Sequence, residues 1–393
     1  MELFDKCKNF TLADDYKKIG IYPYFHTLET KQNTEVTMEG IHQVMIGSNN
    51  YLGLTSDKRV IKAATKALKQ YGTGCSGSRF LNGTIDLHVK LEKELADFLH
   101  KDDCVTFSTG FQTNLGVISA IAGRSDVVLC DKENHASIYD AIKLSYAQMV
   151  RYEHNNMEDL EKKLKEIPEN KGILIVTDGV FSMSGEICNL PKLVELKEKY
   201  GARLMVDDAH GLGVLGKCGR GTAEYFGLED KVDIIAGTFS KSLASIGGYC
   251  AASAEVINFI RHTSRPFIFS ASITPAGVAT ALKSLEILKS EPERVQSLQN
   301  VGDFMRSELD RLGITYKKGT TPIIPIYTYD AEVTLRVCKA LFEAGVYVNP
   351  VLPPATPQGE CLIRTSYTAT HTKEQLTRAA ETIKKVLTQY EIK

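Results

Sequence analysis

The chain has 393 residues, and its 47 basic and 48 acidic side chains leave a formal net charge of −1, so no charge excess exists to attract nucleic acid. That length can bury a full core and divide into a large and a small domain. The 9 cysteines show neither the close spacing of metal ligands nor the framework of a short secreted chain, and they read as reduced thiols of a cytoplasmic protein.

At the N-terminus, Met1-Glu2-Leu3-Phe4-Asp5-Lys6 lacks the apolar core of a signal peptide, and no apolar run is long enough to span a bilayer. Peripheral contact with the inner membrane face stays open. Further on, Val60, Ile61, Ala64, Leu68 and Tyr71 recur on one helical face. The strand-like Cys104-Val105-Thr106-Phe107 runs into Ser108-Thr109-Gly110-Phe111-Gln112, which opens a helix. The N–H groups and hydroxyl of such a turn can hold a phosphate, and the same turn is common without one. His135, in Glu133-Asn134-His135-Ala136-Ser137, can lie flat on an aromatic ring and touch a carboxylate, or simply bond backbone at a helix start.

Gly172-Ile173-Leu174-Ile175-Val176-Thr177 is the continuous apolar run of a strand covered on both faces. Just after it, Ser182 in Asp178-Gly179-Val180-Phe181-Ser182-Met183 can bond a ring oxygen or cap a turn. Pro191 opens a helix with Leu193, Leu196 and Tyr200 inward, and the strand Arg203-Leu204-Met205-Val206 then leads to Asp207.

The next apolar strand, Val232-Asp233-Ile234-Ile235-Ala236, is followed by Gly237-Thr238-Phe239-Ser240-Lys241. An acid ending one strand and a lysine just past the next suit pyridoxal phosphate, with Lys241 holding the aldehyde as a Schiff base and Asp207 facing the pyridine nitrogen. An amino acid whose Cα bond is being broken must drain electrons into the ring, and a carboxylate beside the nitrogen keeps that ring protonated. Side chains alternate along a strand, so Asp208 should point to the other face. His210 is placed to reach the ring hydroxyl or the substrate. To attack as a free amine, Lys241 must be partly desolvated.

Gly211-Leu212-Gly213-Val214-Leu215-Gly216 has the glycine spacing of a dinucleotide fingerprint and follows a strand. It runs into Lys217-Cys218-Gly219-Arg220-Gly221, which holds too many glycines to continue as the required helix, so it reads as a loop. Helical and strand periods alternate through this whole middle region. That predicts an α/β protein with a mostly parallel sheet and its ligands at the carboxyl ends of the strands. From about Glu286 the pattern becomes a long helix, the strand Ile323-Ile324-Pro325-Ile326-Tyr327, another helix and the strand Cys361-Leu362-Ile363-Arg364. A last helix carries Leu376, Ala379, Ile383, Leu387 and Tyr390 on one face. The expected organisation is a large domain over 55–285 and a smaller α+β domain over 286–393, with residues 1–54 packing on the latter.

The motifs Ser48-Asn49-Asn50-Tyr51-Leu52-Gly53-Leu54, Thr109-Gly110-Phe111, Asn134-His135-Ala136-Ser137, Asp207-Asp208-Ala209-His210-Gly211 and Thr238-Phe239-Ser240-Lys241-Ser242 follow one another in this order. With them the chain, from about Gly20 to the last helix, resembles the α-oxoamine synthases. The resemblance implies the PLP-dependent aspartate aminotransferase type of fold (fold type I) and a homodimer with shared active sites at the interface. It also implies a reaction that joins an amino acid to an acyl-CoA with loss of carbon dioxide. Carried over by position, Lys241 is the Schiff-base lysine, Asp207 the pyridine partner and His135 the stacking histidine. Ser182 and His210 contact the ring hydroxyl, Thr238 lies by the phosphate, and Ser108, Thr109, Gly110 and Phe111 join the cofactor set. Ser270, in Phe269-Ser270-Ala271-Ser272, resembles the phosphate ligand contributed by the other subunit, with Ala271 where relatives often have a polar residue. Arg364 resembles the arginine that grips the substrate carboxylate, and Asn49 falls near the acyl end of the site.

Within the family, Tyr22-Pro23-Tyr24-Phe25, Gly72-Thr73-Gly74-Cys75-Ser76-Gly77-Ser78-Arg79 and Pro353-Pro354-Ala355-Thr356-Pro357 resemble the bacterial serine palmitoyltransferase branch. That branch implies a decarboxylative Claisen condensation of L-serine with palmitoyl-CoA, giving 3-ketosphinganine in the first step of sphingolipid synthesis. One position departs from the pattern: Leu352 stands where several relatives have an arginine, which leaves a second grip on the carboxylate, and serine itself, open. The same residues would serve glycine with acetyl-CoA, or alanine with a pimeloyl thioester, as in glycine C-acetyltransferase and 8-amino-7-oxononanoate synthase. A non-catalytic regulatory partner is the reading that an intact Lys241, Asp207 and His135 argue against.

Overall fold

Apolar runs without polar alternation, such as Leu174–Val176 and Leu204–Val206, suit strands covered on both faces, and both lie at the centre of a seven-stranded sheet. The computed structural model describes residues 2–392. In spatial order the large sheet runs Asp103–Phe107, Gly248–Ala252, Ile234–Thr238, Arg203–Asp207, Gly172–Asp178, Asp126–Asp131 and Gln148–Tyr152. Gly248–Ala252 is antiparallel to both of its neighbours, and the other pairings are parallel. Helices cover both faces. On one, Leu91, Leu95, Leu193 and Leu285 pack against the sheet, and on the other Val117, Ile138, Ile142 and Ile257 do so. The expected α/β architecture with a mostly parallel sheet is thus the observed one.

Three details differ from the sequence reading. The strand expected at Val232 begins at Ile234 and continues to Thr238. Asp233 is taken up at the strand entrance, where its carboxylate accepts from Lys197 Nζ at 2.6 Å and from the Leu204 N–H at 2.8 Å. The helix Lys58–Tyr71 buries Val60 and Ala67 but leaves Ile61 and Leu68 exposed, so its apolar face is wider than what it covers within one chain. The long helix expected from Glu286 is two helices, Pro275–Ser290 and Glu293–Arg311, and Glu286 lies inside the first. The apolar period runs unbroken to Leu288, and Pro292 starts the second helix rather than ending a domain.

The Gly211–Gly216 segment forms turns, and no helix starts until Thr222. The smaller domain carries an antiparallel sheet of Ile323–Tyr329, Cys361–Ser366 and Asn349–Val351. Pro325 is tolerated because Ile323–Tyr329 is an edge strand. Near the N-terminus, Glu35–Met38 and Ile41–Met45 form a hairpin that pairs with Val346–Tyr347. Val44 and Ile46 enter the same core as Leu376, Ala379, Ile383 and Leu387 of the helix Lys373–Gln389. No helix among the described residues is long and apolar enough to cross a membrane.

Candidate active site

Three adjacent parallel strands each end in a buried aspartate: Asp131, Asp178 and Asp207. Asp178 and Asp207 are register partners. The next strand, Ile234–Thr238, continues through Phe239 and Ser240 to Lys241, so strand order alone brings the lysine beside the acids. Between them lies a cavity of about 340 Å³, lined among others by Asp178, Asp207, Thr238 and Lys241. Asp207 aims into this cavity. Asp208 points away, accepting from the Thr222 N–H at 2.7 Å and the Thr222 hydroxyl at 2.6 Å, as strand alternation requires.

Charge in so closed a place follows burial first. Burial pushes the Lys241 amine down to about 8, although Asp207 and Asp178 pull the other way. Asp178 is pushed well above the usual carboxylate range by burial and then by the neighbouring Asp207. Burial lowers both histidines of the site, His135 and His210, the latter far below its ordinary value with Lys241 and Arg364 adding to the effect.

A hydrogen-bonded chain spans the cavity wall. His135 Nδ1 lies 2.7 Å from the Ser137 hydroxyl, which accepts from Asn114 Nδ2 at 2.9 Å; the same amide donates to Asp207 at 2.6 Å. Asn114 stands one turn into the helix Gly110–Ile121, whose first turn is capped by the Thr109 hydroxyl accepting from the Gln112 N–H. Gly110 is needed here, because a Cβ would meet the Thr238 side chain at 2.8 Å. The backbone therefore approaches closely to the spot where a phosphate would sit against the helix N-terminus.

Thr109, Gly110, Phe111 and His135 line the cavity, as do Ser182 and His210. Ser108 and Ser270 do not. They lie in an adjoining cleft, where Ser108 bonds the Ala271 carbonyl and Ser270 takes a bond from Gln112. Asn49 and Arg364 form a second cluster behind the cavity. The Arg364 guanidinium donates to the Ser182 carbonyl at 2.5 Å, to Asn49 Oδ1 at 3.0 Å and to the Ser366 hydroxyl at 3.2 Å. Tyr51 joins the two groups, its hydroxyl 2.7 Å from His210 Nδ1 and 3.4 Å from the Arg364 guanidinium.

Asn114, Ser137 and Asp178 were not singled out as site residues from the sequence. Asp178 carried the same signal as Asp207, an acid closing an apolar strand. Asn114 has no comparable signal, because Gln112, Thr113 and Ser119 are polar residues of the same helix.

The residues present fit pyridoxal phosphate. A carboxylate and an amine face one cavity, the helix N-terminus has no Cβ in the way, and the buried Asn114 Oδ1 has no protein partner. Comparison with known proteins points the same way. Residues 41–383 match the aminotransferase class I and II family. A serine palmitoyltransferase from Bacteroides thetaiotaomicron is 51% identical over 383 residues, covering 98% of this chain and 97% of its own. An 8-amino-7-oxononanoate synthase from Thermosipho melanesiensis is 41% identical over 373 residues, 95% of either chain. A high-resolution structure of SPT with PLP aligns with a TM-score of 0.97 at 35% identity and covers 100% of both chains.

Proposed function

Because the chain belongs to the aminotransferase class I and II family, within its α-oxoamine synthases, we infer that it condenses L-serine with palmitoyl-CoA or a similar long-chain acyl-CoA. The products are 3-ketosphinganine, CoA and carbon dioxide. The protein is an acyltransferase, and its cofactor is pyridoxal phosphate. The observation that carries the reading is the 51% identity to a serine palmitoyltransferase across 98% of the chain. Lys241, Asp207 and His135 facing one cavity support it.

When bound, pyridoxal phosphate supplies an aldehyde for the amino group and a sink for the electrons left at Cα. Asp207 would hold the pyridine nitrogen, Ser182 and His210 the ring hydroxyl, and Thr109, Gly110 and Thr238 the phosphate. With its amine lowered to about 8, Lys241 is partly neutral near physiological pH, so Nζ can take the Cα proton of serine and return it later. Arg364 has a planar guanidinium suited to both oxygens of the serine carboxylate, and to grip them it would exchange its bonds to Asn49 and Ser366 for bonds to the substrate. His135, kept neutral by burial, can hold that carboxylate from the other side until carbon dioxide leaves. Val180 supplies buried apolar wall to the cavity.

The same reading makes the protein a homodimer in which Ser270 serves the partner's cavity. Support comes from Ser270 lying outside this chain's own cavity and from the exposed apolar Leu81, Ile246 and Phe269 on one chain. It also makes the protein a cytoplasmic enzyme whose water-insoluble product calls for contact with the inner membrane face on release.

The test is mass spectrometry of products from cofactor-loaded protein given serine, glycine and alanine, each with short- and long-chain acyl-CoA. A dominant 3-ketosphinganine mass from serine is expected. An aminoketone from glycine or alanine in its place would overturn serine as substrate and move the chain to another branch.

A further inference from the structure

Outside the cavity, His154 is the centre of a charged cluster that the reaction does not use directly. Its Nδ1 lies 2.8 Å from Asp131 Oδ1, and its Nε2 lies 3.1 Å from Glu186 Oε2 and 3.5 Å from Glu133 Oε2. Lys317 Nζ donates to the same Glu186 oxygen at 2.6 Å. Glu133, His154 and Glu186 bring their ligand atoms within 4.8 Å of one another, a spacing that would also suit a metal ion. Here the protein supplies the cations itself, and both imidazole nitrogens already face carboxylates.

We propose that His154, bridging Asp131 and Glu186, is a positioning residue that ties the turn carrying His135 to the loop carrying Ser182 and, through Glu186 and Lys317, fastens both to the smaller domain.

Each arm of the bridge ends at a residue that lines the cavity. On one side, Asp131 also accepts from the Glu133 N–H at 2.8 Å and the Asn155 N–H at 2.7 Å, which folds the chain sharply just before His135. Asn134 bonds the Val176 carbonyl at 2.9 Å, and the His135 N–H donates to Asp178 at 3.2 Å, so a shift of this turn would be passed on to the strand end beside the cavity. On the other side, Val180–Ile187 is a tight excursion closed by a bridge between its ends and by the Phe181 N–H donating to the Glu186 carbonyl. Ser182 sits near its tip. Phe181 packs edge-on against the His154 ring, with centroids 4.4 Å apart. Beyond Glu186, the Lys317 N–H donates to Pro325 of the edge strand Ile323–Tyr329 at 3.0 Å. The Thr321 hydroxyl meets the Gly185 carbonyl at 2.8 Å.

Burial alone would lower the imidazole, but the bonds to Asp131 and Glu186 raise it to about 10. At neutral pH His154 is therefore a cation between carboxylates. Without it, Asp131 and Glu186 lose their common partner, the charged link between the His135 turn and the Ser182 loop.

The inference rests on the cavity being the cofactor site and not on serine as substrate. The experiment compares holoproteins at saturating pyridoxal phosphate by the visible circular dichroism of the bound cofactor, its dissociation constant and the melting temperature. His154→Gln, close in size but uncharged, is expected to change the visible dichroism and weaken cofactor binding about fivefold to tenfold. His154→Arg, which can also bridge two carboxylates, is expected to restore both. Wild-type dichroism and affinity in His154→Gln would overturn the proposal even if melting falls, because His154 would then be packing alone. If His154→Gln does not fold, Lys317→Met decides. It removes only the outer link and is expected to shift the dichroism in the same direction by less, whereas an unchanged spectrum and affinity would overturn the proposal. A failure of serine to react in the wild type would sink the substrate reading and leave this comparison intact.

Discussion

An amine set near two carboxylates and cut off from water is pulled in opposite directions. At Lys241 the loss of solvation outweighs the charges, and the amine falls to about 8. In cofactor-free protein its labelling by an amine-reactive reagent should therefore follow a midpoint near pH 8, well below an ordinary lysine. Asp207 favours the ammonium, so Asp207→Asn should move that midpoint further down, and a midpoint that rises would contradict the account. Tyr51 offers a second test at this scale. Its buried hydroxyl lies between His210, Asn49 and Arg364. Tyr51→Phe leaves these groups without a shared partner and should cost about 1–3 kcal/mol in urea unfolding. A cost near zero would mean that water takes the hydroxyl's place.

Among the elements, the joint between the His135 turn and the Ser182 loop depends on pH in a direction that can be worked out. Asp131, Glu133 and Glu186 face His154 directly, and Lys317 stands behind Glu186. His154 is raised in the folded protein, so its contribution is complete below the ordinary histidine value of about 6.5 and fades as pH climbs through about 10. Bonding to His154 lowers Glu186 to about 2, so its part is present above the ordinary carboxylate range and is lost on acidification. The difference in melting temperature between wild type and His154→Gln should then be large at pH 6 and shrink toward pH 10. A constant difference would show that the imidazolium is not its source. This joint could not be read from the sequence, because Asp131, His154, Glu186 and Lys317 carry no common spacing and meet only through tertiary packing. Strand-end chemistry was legible for the opposite reason: Asp207 and Lys241 are placed by secondary structure, and adjacent parallel strands do the rest. Asp178 obeys the same rule, since it too closes an apolar strand and pairs in register with Asp207.

For the molecule as a whole, the incomplete coverage of Ile61, Leu68, Leu81 and Phe269 marks surface that one chain does not satisfy. Periodicity places Ile61 and Leu68 on an apolar helical face without saying what covers it, and Leu81 and Phe269 belong to no such period. If two copies share their sites, Ser270→Ala protein should bind cofactor weakly and Lys241→Ala protein should be inactive. Mixing the two after subunit exchange should return about a quarter of wild-type activity, since half the dimers are mixed and each holds one intact site. No recovery in a mixture shown to exchange subunits would place Ser270 in its own chain's site or outside any site.

The cavity lining runs from Thr109 to Gly247, whereas Arg364 comes more than a hundred residues later. In the order of synthesis the two parts of the proposed site are therefore separated, with the residues that line the cavity all translated before Arg364. The proposed carboxylate grip is thus the last part of the site to be made, and a chain stopped short of Arg364 would keep the whole cavity lining in its sequence and lack the grip.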